Sequence, residues 1–141
     1  MKILLAADGS QYTRRAARYL AAHANMLKDV PEIHVLHVHQ PIPYTGAAAV
    51  IGKKAIEAYY KAEADTALAV AEAEFKSAGI ATTATFAVGD VAAETAAYVK
   101  KNGIDLVVMG SRGHGALAGL ALGSVATKLI CVLEVPVMVV R

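Results

Sequence analysis

Residues 105–130 read DLVVMGSRGHGALAGLALGSVATKLI, and the architecture turns on how this stretch is interpreted. Asp105–Met109 reads as a strand, its residues after Asp105 an unbroken apolar run, the pattern of a strand covered on both faces of a sheet. Gly110, Gly113, Gly115, Gly119 and Gly123 follow it, nearly half of the chain's 11 glycines. A helical pattern then starts at Ser124 and runs to Leu133. Glycine lets a backbone turn sharply and approach a ligand closely. Successive amides and a helix N-terminus attract anions, with the Ser124 hydroxyl as a further donor and Arg112 as a nearby cation. A diphosphate or triphosphate is the natural guest. The plainer alternative is a surface loop whose glycines only permit close helix packing.

Outward from this unit the same alternation repeats. Lys2–Ala7 is a buried-strand pattern ended by Asp8-Gly9-Ser10, and Ser10 suits the cap of a helix over Gln11–Leu27. Ala16, Leu20, Ala24 and Leu27 recur there at helical spacing. Ile33–Val38 reads as a second strand. His39–Gly52, with Pro41, Pro43, Gly46 and Gly52, reads as a long loop that could close over a ligand. A helix is predicted over Lys53–Ser77, with Ala64, Leu68, Ala71 and Phe75 on one stripe and Gly79 as its stop. Ile80–Val88 is a third strand, placed near a sheet edge by its Thr and Ala content. Asp90 caps a helix ending at Lys100-Lys101, before Gly103. Pro136 opens a last strand, PVMVV. Five strands alternating with four helices specify a doubly wound α/β domain, a parallel sheet with helices on both faces. In such sheets ligands sit beyond the carboxyl ends of the strands, where strand order reverses.

Composition narrows the class further. The chain has 141 residues, enough for one domain with its own core, and a net charge of +2. That charge, with no Lys/Arg cluster longer than a pair, speaks against nucleic acid. Thirty alanines inflate the 56% hydrophobic content, which points to close helix packing. No segment suits a membrane span or a signal peptide, and one cysteine forms no internal disulfide, so the expected compartment is the cytoplasm.

Familiar catalytic signatures are absent. Gly46–Lys54 is one residue too long for a phosphate-binding P-loop, carries Lys54 where a hydroxyl belongs, and follows a loop. Asp8-Gly9-Ser10 lacks the later glycines of a dinucleotide fingerprint, and no nucleophile elbow exists around Ser111. His37 and His39 share a strand face, but a third metal ligand is not evident. His23 and His34 read as ordinary helix and strand-face residues, and His114 as a loop residue near phosphate or solvent. Cys131, among Leu129, Ile130 and Leu133, is expected to be a buried structural thiol. Tyr59-Tyr60 is expected in the core or an interface. The apolar strand Val137–Val140, if at a sheet edge, would be relieved by pairing with a second chain.

Taken together, Gly110-x2-Gly113-x9-Gly123-Ser124, the opening KILLAADGS, LHVH, VGD and the terminal PVMVV resemble the universal stress protein family in order along the whole chain. The resemblance implies strand order 3-2-1-4-5, a homodimer through the last strand and membership of the ATP-binding branch. It implies nucleotide-binding positions at Ala7 and Asp8, with Asp8 meeting the adenosine. The Val38 backbone would contact adenine and Met109 would line the site. Gly110, Arg112, Gly113, Gly123, Ser124 and Val125 would surround ribose and phosphates. No catalytic residue and no protein-held metal are expected. ATP, with ADP or AMP as variants, is the expected ligand, and Mg²⁺ or Mn²⁺ would ride on its phosphates. The implied role is a nucleotide-dependent stress regulator acting on a protein partner. The alternatives are a slow ATP hydrolase, for which no water-positioning residue is identifiable, and a nucleotide-free dimeric interaction protein.

Overall fold

In a computed structural model of the chain, residues 1–24, 31–42, 52–115 and 122–141 are described. Nine elements alternate: β1 (Lys2–Ala6), α1 (Gln11–His23), β2 (Glu32–His39), α2 (Lys53–Ser77), β3 (Thr82–Val88), α3 (Val91–Asn102), β4 (Leu106–Gly110), α4 (Ser124–Val132) and β5 (Val137–Val140). All strand pairs are parallel, in the order β3-β2-β1-β4-β5. The central strand β1 hydrogen-bonds on both sides, so Leu5 stands opposite Val35 of β2 and Val108 of β4. From β1 the chain winds first toward β3 and then, from β4, the other way. The reversal opens a crevice between the carboxyl ends of β1 and β4.

The continuous apolar strands have partners on both faces. Ile3, Leu5, Val35 and Val108 pack with Leu20 of α1 and with Leu68 and Phe75 of α2. Leu4, Leu36 and Val107 meet Val99 of α3 on the opposite face. Ala64, Leu68, Ala71 and Phe75 are all buried, as the helical stripe predicts. The Thr-rich β3 lies at the sheet edge, where Thr83, Phe86 and Val88 are exposed. Both expected N-caps form: Ser10 accepts from the amides of Tyr12 and Thr13, and Asp90 from those of Ala92 and Ala93.

Some details differ from expectation. Helix α1 ends at His23, and the predicted continuation to Leu27 enters residues 25–30, outside the described residues. Most of the His39–Gly52 loop is likewise outside them, β2 running through His39. Cys131 is exposed. Helix α4 buries only Ala126 and Leu129, so a residue two positions beyond Leu129 points outward. Tyr59 is 46% exposed and not a core residue; its partner Tyr60 packs its ring against His39. His34 proves to be buried and fully satisfied, bonded through Nδ1 to the Tyr98 hydroxyl (2.8 Å) and through Nε2 to Glu32 Oε1 (2.9 Å).

Phe75 is fully buried beneath α2. Phe75→Ala should lower unfolding stability by about 3–5 kcal/mol, read from urea denaturation at constant slope. A loss below about 1 kcal/mol would mean this face of the core is not close-packed.

Candidate functional site

The site is built on the turn that leaves β1. Asp8 closes this turn on itself. Its Oδ1 accepts from the Ser10 amide at 2.9 Å and from the Thr13 hydroxyl at 2.7 Å, and its own amide donates to Thr13 Oγ1 at 3.0 Å. These bonds begin α1 and fix the carboxylate at the end of β1. Burial pushes the Asp8 carboxyl up, but the bonds from Ser10 and Thr13, with the nearby His114, outweigh it and hold the group below 3.8.

The segment after β4 comes to the same place. A Cβ on Gly113 would collide with Asp8 Oδ2, so the backbone there approaches as closely as a carboxylate allows. Gly110 is equally tight, since a Cβ would lie 2.8 Å from the Tyr12 carbonyl carbon. The Gly123 amide donates to the Ser111 carbonyl at 2.8 Å, which folds the segment back to the start of α4. His114 Nε2 bonds the Asp8 carbonyl at 2.9 Å and ties the two loops together.

Between these loops lies a cavity of about 300 Å³, at the lower end of the range for small-molecule sites. Every expected site residue lines it. Ala7 and Asp8 come from β1 and its turn, Val38 from β2, and Met109 and Gly110 from β4. Arg112 and Gly113 come from the glycine segment, and Gly123, Ser124 and Val125 from the start of α4. Met109 and Ala7 are buried, whereas Ser124 and Val125 stand exposed at the rim. Ser124 is the first residue of α4, and Gly123 caps the helix without a side-chain bond, so the first amides are open to an anion. Among the described residues no ion pair engages Arg112.

Other lining residues were not on the expected list. Thr13 and His114 organise Asp8, and Val91 and Thr95 of α3 form an inner wall. The capping Asp90 announced that helix, but only the folded sheet shows that its first turns face the crevice. Elsewhere, His37 Nδ1 lies 2.9 Å from the Ala7 carbonyl, steadying the end of β1. Among the described residues no three His, Cys, Asp or Glu side chains gather to hold a metal. No described helix is long and apolar enough to cross a membrane.

A fold of this order, with an acidic turn after β1 and a glycine segment after β4, defines a doubly wound α/β protein with a cavity at the switch point. The universal stress protein family model matches residues 1–141, and the chain belongs to that family. It is 32% identical over 142 residues to a universal stress protein of Thermus aquaticus, covering 99% of this chain and 97% of the relative. It also superposes on UspA of Lactobacillus plantarum with a TM-score of 0.83 at 20% identity, covering 100% and 97% of the two chains. A universal stress protein from Archaeoglobus fulgidus, solved in complex with dAMP, matches with a TM-score of 0.70 at 20% identity, covering 100% and 98%.

Asp8 sets a pH dependence. Its folded-state value lies below the ordinary 3.8. The stability it contributes is therefore fully present above that pH and is lost as pH falls through the folded-state value. In urea titrations at descending pH, the wild type should lose stability more steeply below pH 3.8 than Asp8→Asn does. Parallel curves would show that Asp8 is not the group held ionised.

Proposed function

We propose that the chain binds an adenine nucleotide, with ATP as the working form, at the carboxyl edge of the sheet, and that occupancy regulates a stress-response partner. The observation that carries this reading is the meeting of three features around one cavity. These are an ionised Asp8, the glycine-backed approach at Gly113, and the open N-terminus of α4 beside Arg112. The apolar wall of Val38 and Met109 suits a base, and the free Asp8 oxygen suits ribose hydroxyls. The amides at Ser124 and Val125 suit a phosphate. The dAMP complex of the Archaeoglobus fulgidus relative supports an adenine ligand. Any divalent cation is held on the phosphate oxygens and supplies charge neutralisation there.

Isothermal titration with ATP, ADP and AMP tests the reading. Binding should be saturable for wild type and weakened at least tenfold in Gly113→Ala, because the added methyl displaces Asp8. An absence of heat and of thermal shift with all three nucleotides would refute it.

The working assembly in this proposal is a homodimer through β5. This strand forms one edge of the sheet, and Ile130, Val132 and Met138 are exposed nearby in the fold. Pairing a second copy removes both liabilities at once, the open edge and the apolar surface. Sedimentation equilibrium should give twice the chain mass for wild type, with Met138→Lys shifted toward monomer. A monomeric wild type at micromolar concentration would exclude the dimer.

A further inference from the structure

Few side chains bring charge to the cavity. Among the described residues three ionisable groups line it: Asp8 in the turn after β1, and Arg112 and His114 in the glycine segment. From β1, β2, β4, α1, α3 and α4 the lining receives only apolar, hydroxyl-bearing or glycine residues. Residues 116–121, with the sequence ALAGLA, add no ionisable group to the segment. Asp8 is held ionised, and an arginine keeps its proton at any physiological pH. These two charges cancel. Histidine is the side chain whose charge changes between about pH 5 and 8. The protonation of His114 therefore decides whether the lining is neutral or carries one positive charge.

We propose that His114 makes nucleotide binding pH-dependent, its protonated ring supplying the net positive charge that favours the anionic end of the ligand. The proposal rests on the nucleotide reading above. The hydrogen bond of the ring fixes where the proton goes. A carbonyl only accepts, so Nε2, 2.9 Å from the Asp8 carbonyl oxygen, carries a hydrogen and donates it. The neutral ring then has its lone pair on Nδ1, and Nδ1 takes the titrating proton. Charging the ring leaves the tie between the two loops in place and strengthens it. What changes with pH is the field in the cavity, not the path of the loops. The sign follows from linkage. A bound phosphate favours the charged ring, so protonation raises affinity for the ligand by the same factor that the ligand raises affinity for the proton. Affinity therefore rises as pH falls through the histidine range. His114 is exposed, so water screens its charge, and the effect on affinity is about threefold to tenfold at low salt.

His114→Gln separates the charge from the tie, because a glutamine amide donates to a carbonyl and does not titrate. ADP and adenosine are titrated into wild type and His114→Gln between about pH 5.5 and 8, with folding checked by urea midpoint at each pH. The terminal phosphate of ADP gains a proton in the same range. The readout is therefore the ratio of wild-type to variant affinity at one pH, in which that titration cancels. For ADP this ratio should be about threefold to tenfold larger at the acidic end than at the basic end, and should shrink in about 0.5 M salt. For adenosine, which has no phosphate, it should not change with pH. A constant ratio for ADP, or the same change for adenosine, would overturn the role of His114 while leaving nucleotide binding intact. If the variant does not fold, an NMR titration of the His114 ring in wild type decides. Saturating ADP should move its midpoint to higher pH, and an unmoved midpoint would overturn the proposal. Failure of wild type to bind any adenine nucleotide at any pH would instead remove the underlying reading, and the proposal with it.

Discussion

The contact between Gly113 and the Asp8 carboxylate is the constraint on which the site depends. Asp8 is held from behind by Ser10 and Thr13, so it has no freedom to retreat. The glycine segment must come up to it, and only a residue without a Cβ does so. His114 then closes the contact from the side through the Asp8 carbonyl. Two loops more than 100 residues apart in sequence thereby become one wall. The carboxylate and the N-terminus of α4 face a common space because this contact fixes their separation. A side chain at residue 113 would drive them apart without disturbing the sheet beneath.

The sheet supplies the rigid platform for that contact. Its inner strands β1, β2 and β4 are apolar and covered on both faces, with β1 paired on both sides. Alanine at 16, 17, 64, 67 and 71 lets α1 and α2 lie close over this surface. The same small residues admit the turn after β1. A Cβ at Gly9 would stand 2.8 Å from the Cα of Ala67, so the turn rests directly on the α2 backbone. The site is thus positioned by packing from below and by hydrogen bonds within the turn. That combination suits a binding pocket that needs little reorganisation to accept a ligand.

How much of this was legible in the sequence follows from the range of each interaction. Continuous apolar runs, Ser10, Asp90 and the glycine spacing are local signals, and the elements they specify all form. The edge position of β3 followed from its weak apolar content. Cys131 went the other way. Residue identity suggested burial, but burial is set by which face a helix turns to the sheet. For α4 the choice was narrow, since a nine-residue helix buries just Ala126 and Leu129. Thr95 and Val91 were silent as site residues for a related reason. Their place on the cavity wall depends on how α3 crosses the sheet, which no neighbouring residue encodes. His34 gives the same lesson, because its partner Tyr98 is 64 residues away.

The arrangement of charge along the cavity gives the site a direction. Against Gly113 a carboxylate kept ionised by its own turn calls for donors, and it repels any phosphate brought to it. Beyond the glycine segment, exposed amides of α4 and the half-buried Arg112 call for negative charge. The rest of the lining is largely apolar and includes Leu36, Val38, Val91, Met109 and Leu129. A ligand with an apolar ring, neutral hydroxyls in the middle and an anionic tail would meet the apolar lining, Asp8 and the Arg112 region in one orientation. Reversing it sets phosphate against apolar side chains and leaves Arg112 and the helix amides facing the ring. Selectivity in this site is therefore as much a matter of the wrong pose being repelled as of the right one being held.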